Sequence, residues 1–243
     1  MMKTMILGLL LVGLTANASA SADAVRERNP ELAEHVASLQ PMKNRAGKFY
    51  FPDAQLVSPD AQVLVTERLL NGDDAPAVQV ALAYALDGNH RLPWSVIATQ
   101  PADVRAALLS GYKKHGAVDA VEALSGGLSD ASDAVQFEAV RLLGRRPDLK
   151  NARLVEGLKQ ALRSDVVDVR WAAVRALAWR DDAGAFEAIQ PLLVDKDAKV
   201  RGAAIRSLGI LDKARALDLS GVDELRNDPN PHVKRAFRSL ARD

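Results

Sequence analysis

No cysteine occurs in the 243 residues. Disulfides, thiolate metal sites and thiol nucleophiles are therefore excluded from the start. Aromatic residues are scarce, at 5%, so a tryptophan that falls on a pattern carries weight. An excess of charge is missing too, with 32 Lys and Arg against 31 Asp and Glu. That balance rules out a bulk polycation and directs attention to where the charges are placed. With 48% apolar and 26% charged residues, the chain reads as a folded protein of one or two domains, not a disordered polyelectrolyte.

Signatures of catalysis are equally sparse. Neither G-x-S-x-G, G-x-x-x-x-G-K-[ST] nor G-x-G-x-x-G is present, so nucleophile elbows, P-loops and dinucleotide sites have no support. The four histidines, His35, His90, His115 and His232, are scattered, and none stands in an H-E-x-x-H pair. The carboxylate pairs Asp73-Asp74 and Asp181-Asp182 fall at predicted hairpin turns, where helix capping accounts for them. Gly126-Gly127 reads as a further turn. The expectation is a protein that is not an enzyme and takes no metal or organic cofactor.

Long apolar runs are also lacking. The run from Met5 to Leu14 falls short of the roughly 20 residues that span a bilayer. With Lys3 before it, and Ala18-Ser19-Ala20 or Ala20-Ser21-Ala22 after it, the run reads as a cleavable secretory signal peptide over residues 1–22. With no cysteine to carry a lipid anchor, the mature chain is expected to be periplasmic or secreted, without a membrane span. Loss of Lys3 leaves 31 bases against 31 acids.

What the chain does have is repetition. Six segments anchored on Val78, Val104, Val135, Val169, Val200 and Val233 recur at spacings of 26 to 34 residues. The clearest, VQFEAVRLL, VRWAAVRAL and VRGAAIRSL, place apolar residues at offsets 0, 4, 5 and 8, one face of an α-helix. The last, VKRAFRSL, is one residue shorter. Each is preceded by a second apolar-periodic stretch and a turn rich in Asp, Asn, Pro or Gly. The predicted helix pairs are 59–71 with 75–86, 92–98 with 102–112, 117–124 with 133–144, 149–162 with 168–179, 183–193 with 198–211, and 214–225 with 231–240. No convincing period-two alternation calls for strands. Stacked helical hairpins, each burying the faces its neighbour leaves exposed, give an all-α, right-handed helical-hairpin solenoid of about six repeats over residues 59–243.

The runs D-V-R-W-A-A-V-R-A-L at 168–177 and K-V-R-G-A-A-I-R-S-L at 199–208 resemble HEAT repeats of the subtype found in phycobilisome-lyase-like proteins. Pro191 in I-Q-P-L-L is similar to the proline bend of many first HEAT helices. The resemblance is strong over 117–243, fair over 59–116 and absent before that. It implies a curved scaffold of the HEAT/armadillo kind, whose second helices line a concave side. It implies no activity.

Residues 23–58 differ. PELAEHVASL, from Pro30, can form a helix, whereas 41–59 carries three prolines, Lys43, Arg45 and Lys48, then Phe49-Tyr50-Phe51. Two readings stay open for this segment: an extended cap laying its aromatics over the first repeat, or a basic and aromatic docking arm.

Charge on the second helices supplies the candidate site. At about 100° per residue, offsets 2, 6, 9 and 10 point away from the buried face. They give Phe137, Arg141 and Arg145; Trp171, Arg175 and Trp179; Arg206 with Ile210; and, in the shortened repeat, Arg235, Arg238 and Arg242. Acids on these helices are few, chiefly Glu138 and Asp168. A second column, Gln79, Arg105, Gln136, Arg170, Arg201 and Lys234, lies nearer the buried edge and reads as a structural ladder beside Asp130, Asp165, Asp195 and Asp228 of the preceding turns. Guanidinium forks suit carboxylate or phosphate, and the aromatics add stacking faces. The expectation is an exported scaffold or adaptor binding an acidic protein segment on its concave basic-aromatic face, across repeats three to six. The alternatives are an acidic glycan such as peptidoglycan, on which tryptophans could stack, and nucleic-acid binding or DNA-glycosylase-like chemistry. The signal peptide opposes the last.

Overall fold

The computed structural model describes residues 22–52, 54–71, 73–86, 92–114, 117–182 and 184–242. The segment before Ala22 that was expected to be a signal peptide, and His90 and His115, lie outside them. The chain divides into two compact units, Met1–Ala123 and Leu124–Asp243.

In the first unit, α1 (Ala22–Arg28) and α2 (Pro30–Ser38) form a hairpin packed on α3 (Pro59–Asn71). Asn29 caps α2, its side chain accepting from the Leu32 amide at 3.2 Å, and Pro30 stands at the first turn, where a missing N–H costs nothing. Arg26 pairs with Glu67 and Arg28 with Asp60, while Arg68 donates to the Val36 and Leu39 carbonyls. Strands were not expected, yet β1 (Met42–Lys43) and β2 (Phe49–Tyr50) pair antiparallel. Asn44 supplies the local reason. Its side chain accepts from the Ala46 and Lys48 amides, and Gly47 takes the left-handed φ of 79° that the turn needs. Strand β2 lies on α4 (Pro76–Ala85), with the Lys48 ammonium 5.7 Å from the Tyr84 ring. This segment thus covers the first repeat. The helix expected at 92–98 shrinks to one turn, α5 (Trp94–Ile97). Leu92 is buried instead, its carbonyl accepting from the buried Tyr112 hydroxyl at the end of α6 (Ala102–Ser110). Burial, with the Asp119 and Glu122 charges, pushes that hydroxyl's pKa up and keeps it a donor.

The second unit begins within α7 (Ala117–Leu128). Gly126-Gly127 is not a turn: the helix runs through the pair to Leu128, which packs on Gly157. Packing of the flanking apolar stripe outweighs the roughly 1 kcal/mol that each glycine costs a helix. Helices α8 (Asp133–Leu143), α9 (Ala152–Ala161), α10 (Val167–Arg180), α11 (Ala185–Ile189), α12 (Ala198–Leu211), α13 (Lys213–Leu217) and α14 (Pro231–Leu240) follow. The second helices α8, α10, α12 and α14 pack in succession. Their residues at offsets 0, 4, 5 and 8 are the core, from Val135, Ala139, Val140 and Leu143 to Val200, Ala204, Ile205 and Leu208, all fully buried. The short last repeat buries offsets 0, 3, 4 and 7 instead, namely Val233, Ala236, Phe237 and Leu240. The architecture is an all-α solenoid.

First helices are less regular than predicted. Pro191 lacks the N–H that an α-helix would use, and α11 passes into a 3-10 turn over Gln190–Val194. The helix expected at 214–225 splits into α13 and a 3-10 turn over Val222–Asn227, because Gly221 turns the chain at φ 85°. Asp181-Asp182 is more than a cap: the Arg180 side chain is fully buried, and Asp182, buried as well, accepts its Nε at 2.6 Å. The same guanidinium reaches the Arg146 and Leu149 carbonyls at 2.8 and 2.7 Å.

The inner column is a ladder, with a geometry the sequence did not predict. Gln79 donates to the Asp74 carbonyl, Arg105 to Gln100, Gln136 to Asp130, Arg170 to Ser164 and Asp165, and Arg201 to Asp195 and Lys196. The preceding turn thus offers backbone oxygen, not carboxylate. The carboxylates come from the turn that follows. Arg170 grips Asp195 with two bonds of 2.9 Å, and Arg201 grips Asp228 at 2.7 and 3.0 Å. Where that following turn carries Ser164 in place of an acid, the ladder residue is the neutral Gln136.

Candidate functional site

Six of the ten residues expected at the site converge. Phe137, Arg141 and Arg145 from α8, with Trp171, Arg175 and Trp179 from α10, line a cleft of about 310 Å³ floored by Val140, Ala172 and Ala176. Helical periodicity aims the side chains at it, and Gly144 lets the helices close beneath it. A Cβ on Gly144 would lie 3.4 Å from the Ala176 backbone. Arg206 lines a second groove of about 310 Å³ between α12 and α14, with Ile205, Gly209, Ile210, Lys213, Ala236, Ser239 and Leu240. Arg235, Arg238 and Arg242 are exposed on or just after α14 and line neither cleft.

The two grooves occupy one register. Counted from Val135 and Val200, the first helix of each pair contributes offsets 5, 6, 9 and 10, and offset 9 is glycine in both. Counted from Val169 and Val233, the second contributes offsets 3, 6 and 7, and offset 3 is alanine in both.

The arginines are not equivalent. Arg141 is tied to Glu138 one turn back on its own helix, so its charge is largely spent. No carboxylate among the described residues lies in ion-pair range of Arg145, Arg175 or Arg206. Arg175 instead lies against aromatic rings, 4.6 Å from Trp171 and 5.3 Å from Trp179. Partial burial pushes the Arg206 guanidinium pKa down, and the neighbouring Arg175 charge adds to that. Two like charges are therefore held close, and no carboxylate among the described residues neutralises either.

The tryptophans differ as well. Trp171 was expected to offer a stacking face, but two cations already lie over its ring: Arg175, and Lys199 at 4.4 Å. Trp179 is 57% exposed and has one cation over its ring, Arg175. Sequence reading missed Lys199. The signal was present, since Lys199 and Asp168 both stand one residue before an anchor valine on adjacent helices, and the structure pairs them. Glu138 and Asp168, the acids nearest the cleft, are thus each held by a base. The cleft can bind an anion beside an apolar group. Among the described residues no three His, Asp or Glu gather as metal ligands, and no helix is long and apolar enough to cross a membrane.

The family model for HEAT repeats matches residues 155–241, covering α10, α12 and α14. No curated protein matches the chain. Among solved structures, the chain is similar to an engineered protein from a structural-genomics consortium, at 22% identity over 97% of this chain and 93% of that one, with a TM-score of 0.46. Residues 155–241 thus match the HEAT repeat, a unit of protein-interaction scaffolds, within an all-α solenoid.

Proposed function

We propose that this protein is an exported HEAT-repeat adaptor that binds an acidic protein segment across the solvent-exposed face of α8, α10 and α12. The observation that carries this reading is the pairing of unneutralised guanidiniums, Arg145, Arg175 and Arg206, with apolar clefts on one helical face. A guanidinium on a folded surface gains little from solvent, whereas one that meets a carboxylate gains about 1.5–3 kcal/mol through charge-assisted hydrogen bonds. Export rests on the signal-peptide pattern of residues 1–22. Cations over Trp171 and over Trp179 weigh against the glycan alternative, which needs open ring faces.

Capture from the exported fraction tests the reading. The protein with Arg145, Arg175 and Arg206 changed to alanine should retrieve the partner at least tenfold less well, and raised salt should release it from the wild type. Retention at the original affinity would move the site elsewhere, with the Lys43–Phe51 segment next. Fractionation of cells expressing the chain with and without residues 1–22 tests export separately. Equal retention of both forms in the cytoplasm would refute it.

A further inference from the structure

The repeated register of the two grooves has a geometric consequence that rests on the acidic-segment reading and sharpens it. The grooves lie between α8 and α10 and between α12 and α14, two helix spacings apart in a succession of packed helices. Packed helices stand about 8–10 Å apart, so the groove centres are separated by roughly 16–20 Å. An extended chain advances about 3.3 Å per residue, which converts that separation to about five or six residues. Arg175 and Arg206 rise from the two helices between the groove centres. Each groove has an exposed apolar side chain at its edge, Trp179 for one and Ile210, 62% exposed, for the other.

We propose that a single extended acidic segment engages both grooves at once, seating an apolar side chain in each, five or six residues apart, with a carboxylate between them on Arg175 and Arg206. The floors favour an aliphatic or aromatic side chain, because Val140 and Ala172 in one groove and Ile205 and Leu240 in the other offer no polar partner. The charge favours an acid between the anchors, since nothing else among the described residues neutralises the two arginines. Occupying both grooves with one chain makes the second contact intramolecular and multiplies affinity without new chemistry.

The test uses fluorescein-labelled peptides of alternating Glu and Ser, carrying either no leucine or two leucines spaced three, six or ten positions apart, read by polarisation on the purified protein. The six-spaced peptide should bind at least about tenfold more tightly than the other three. Ile210→Glu and Trp179→Ser, both at exposed positions, should each bring it down to the level of the leucine-free peptide with an unchanged circular-dichroism spectrum. Equal binding of all four peptides would overturn the two-groove arrangement while leaving the acidic-segment reading intact. Binding by none of the four would overturn both.

Discussion

Arg170 and Arg175 stand five residues apart on α10 and meet opposite surroundings. The Arg170 side chain is 5% exposed and holds Asp195 and two turn carbonyls, so its removal strands a buried acid. Arg170→Ala should lower unfolding free energy by about 3–5 kcal/mol in a urea titration. Arg175→Ala, which gives up ring contacts at the surface, should cost under about 1 kcal/mol. The same ladder sets the response to acid. Burial alone would raise the Asp195 carboxyl pKa, but Arg170 and the Asp197 amide outweigh it and hold it below the usual range; Arg201 does the same for Asp228, against burial. A carboxyl with a depressed folded pKa contributes stability that is present above its unfolded value of about 3.9 and lost as pH falls through the folded one. Melting temperature should therefore be flat from neutrality to about pH 5 and fall below about pH 4. Asp195→Asn should be less stable at neutrality and show a shallower acid decline.

At the scale of the helix, close approach is bought with small residues. Gly144 ends α8 against the Ala176 backbone, and Ala172, Ala173, Ala176 and Ala178 keep α10 slender on several sides. Gly144→Val would push against main chain that cannot rotate away. The expected loss is about 1–3 kcal/mol by thermal or chemical unfolding, together with a narrowed Trp179 cleft. Had the contact been with a flexible side-chain tip, the loss would be smaller. Leu177→Asp on the buried side of α10 should be far worse, placing an acid without a partner in the core and abolishing cooperative unfolding.

The chain as a whole combines near-neutral net charge with uneven charge placement. Glu138 is held by Arg141 and Asp168 by Lys199, while Asp195 and Asp228 serve the ladder, so the positive balance on the exposed face of α8, α10 and α12 comes from removing carboxylates from competition rather than from adding bases. The far-ultraviolet circular-dichroism spectrum should be dominated by helix, and the triple change of Arg145, Arg175 and Arg206 to alanine should leave both spectrum and melting temperature nearly unaltered while partner capture falls. A melting temperature lowered by several degrees would assign those arginines to the fold instead.

The second helices and the converging cleft residues were legible in the sequence, because a helical period is local: offsets 0, 4, 5 and 8 predict burial and offsets 2, 6 and 10 predict exposure wherever the helix forms. Ladder residues were legible as a column for the same reason. The sequence did not determine who answers whom. Arg170 could have met Asp165 behind it or Asp195 ahead of it, and the stacking of one repeat on the next decided for Asp195. The same stacking paired Lys199 with Asp168 and with Trp171, spent Arg141 on Glu138, and left Arg175 and Arg206 side by side. Partner choice between charges depends on distances of a few ångströms across separate helices, and those distances exist only once the repeats are packed.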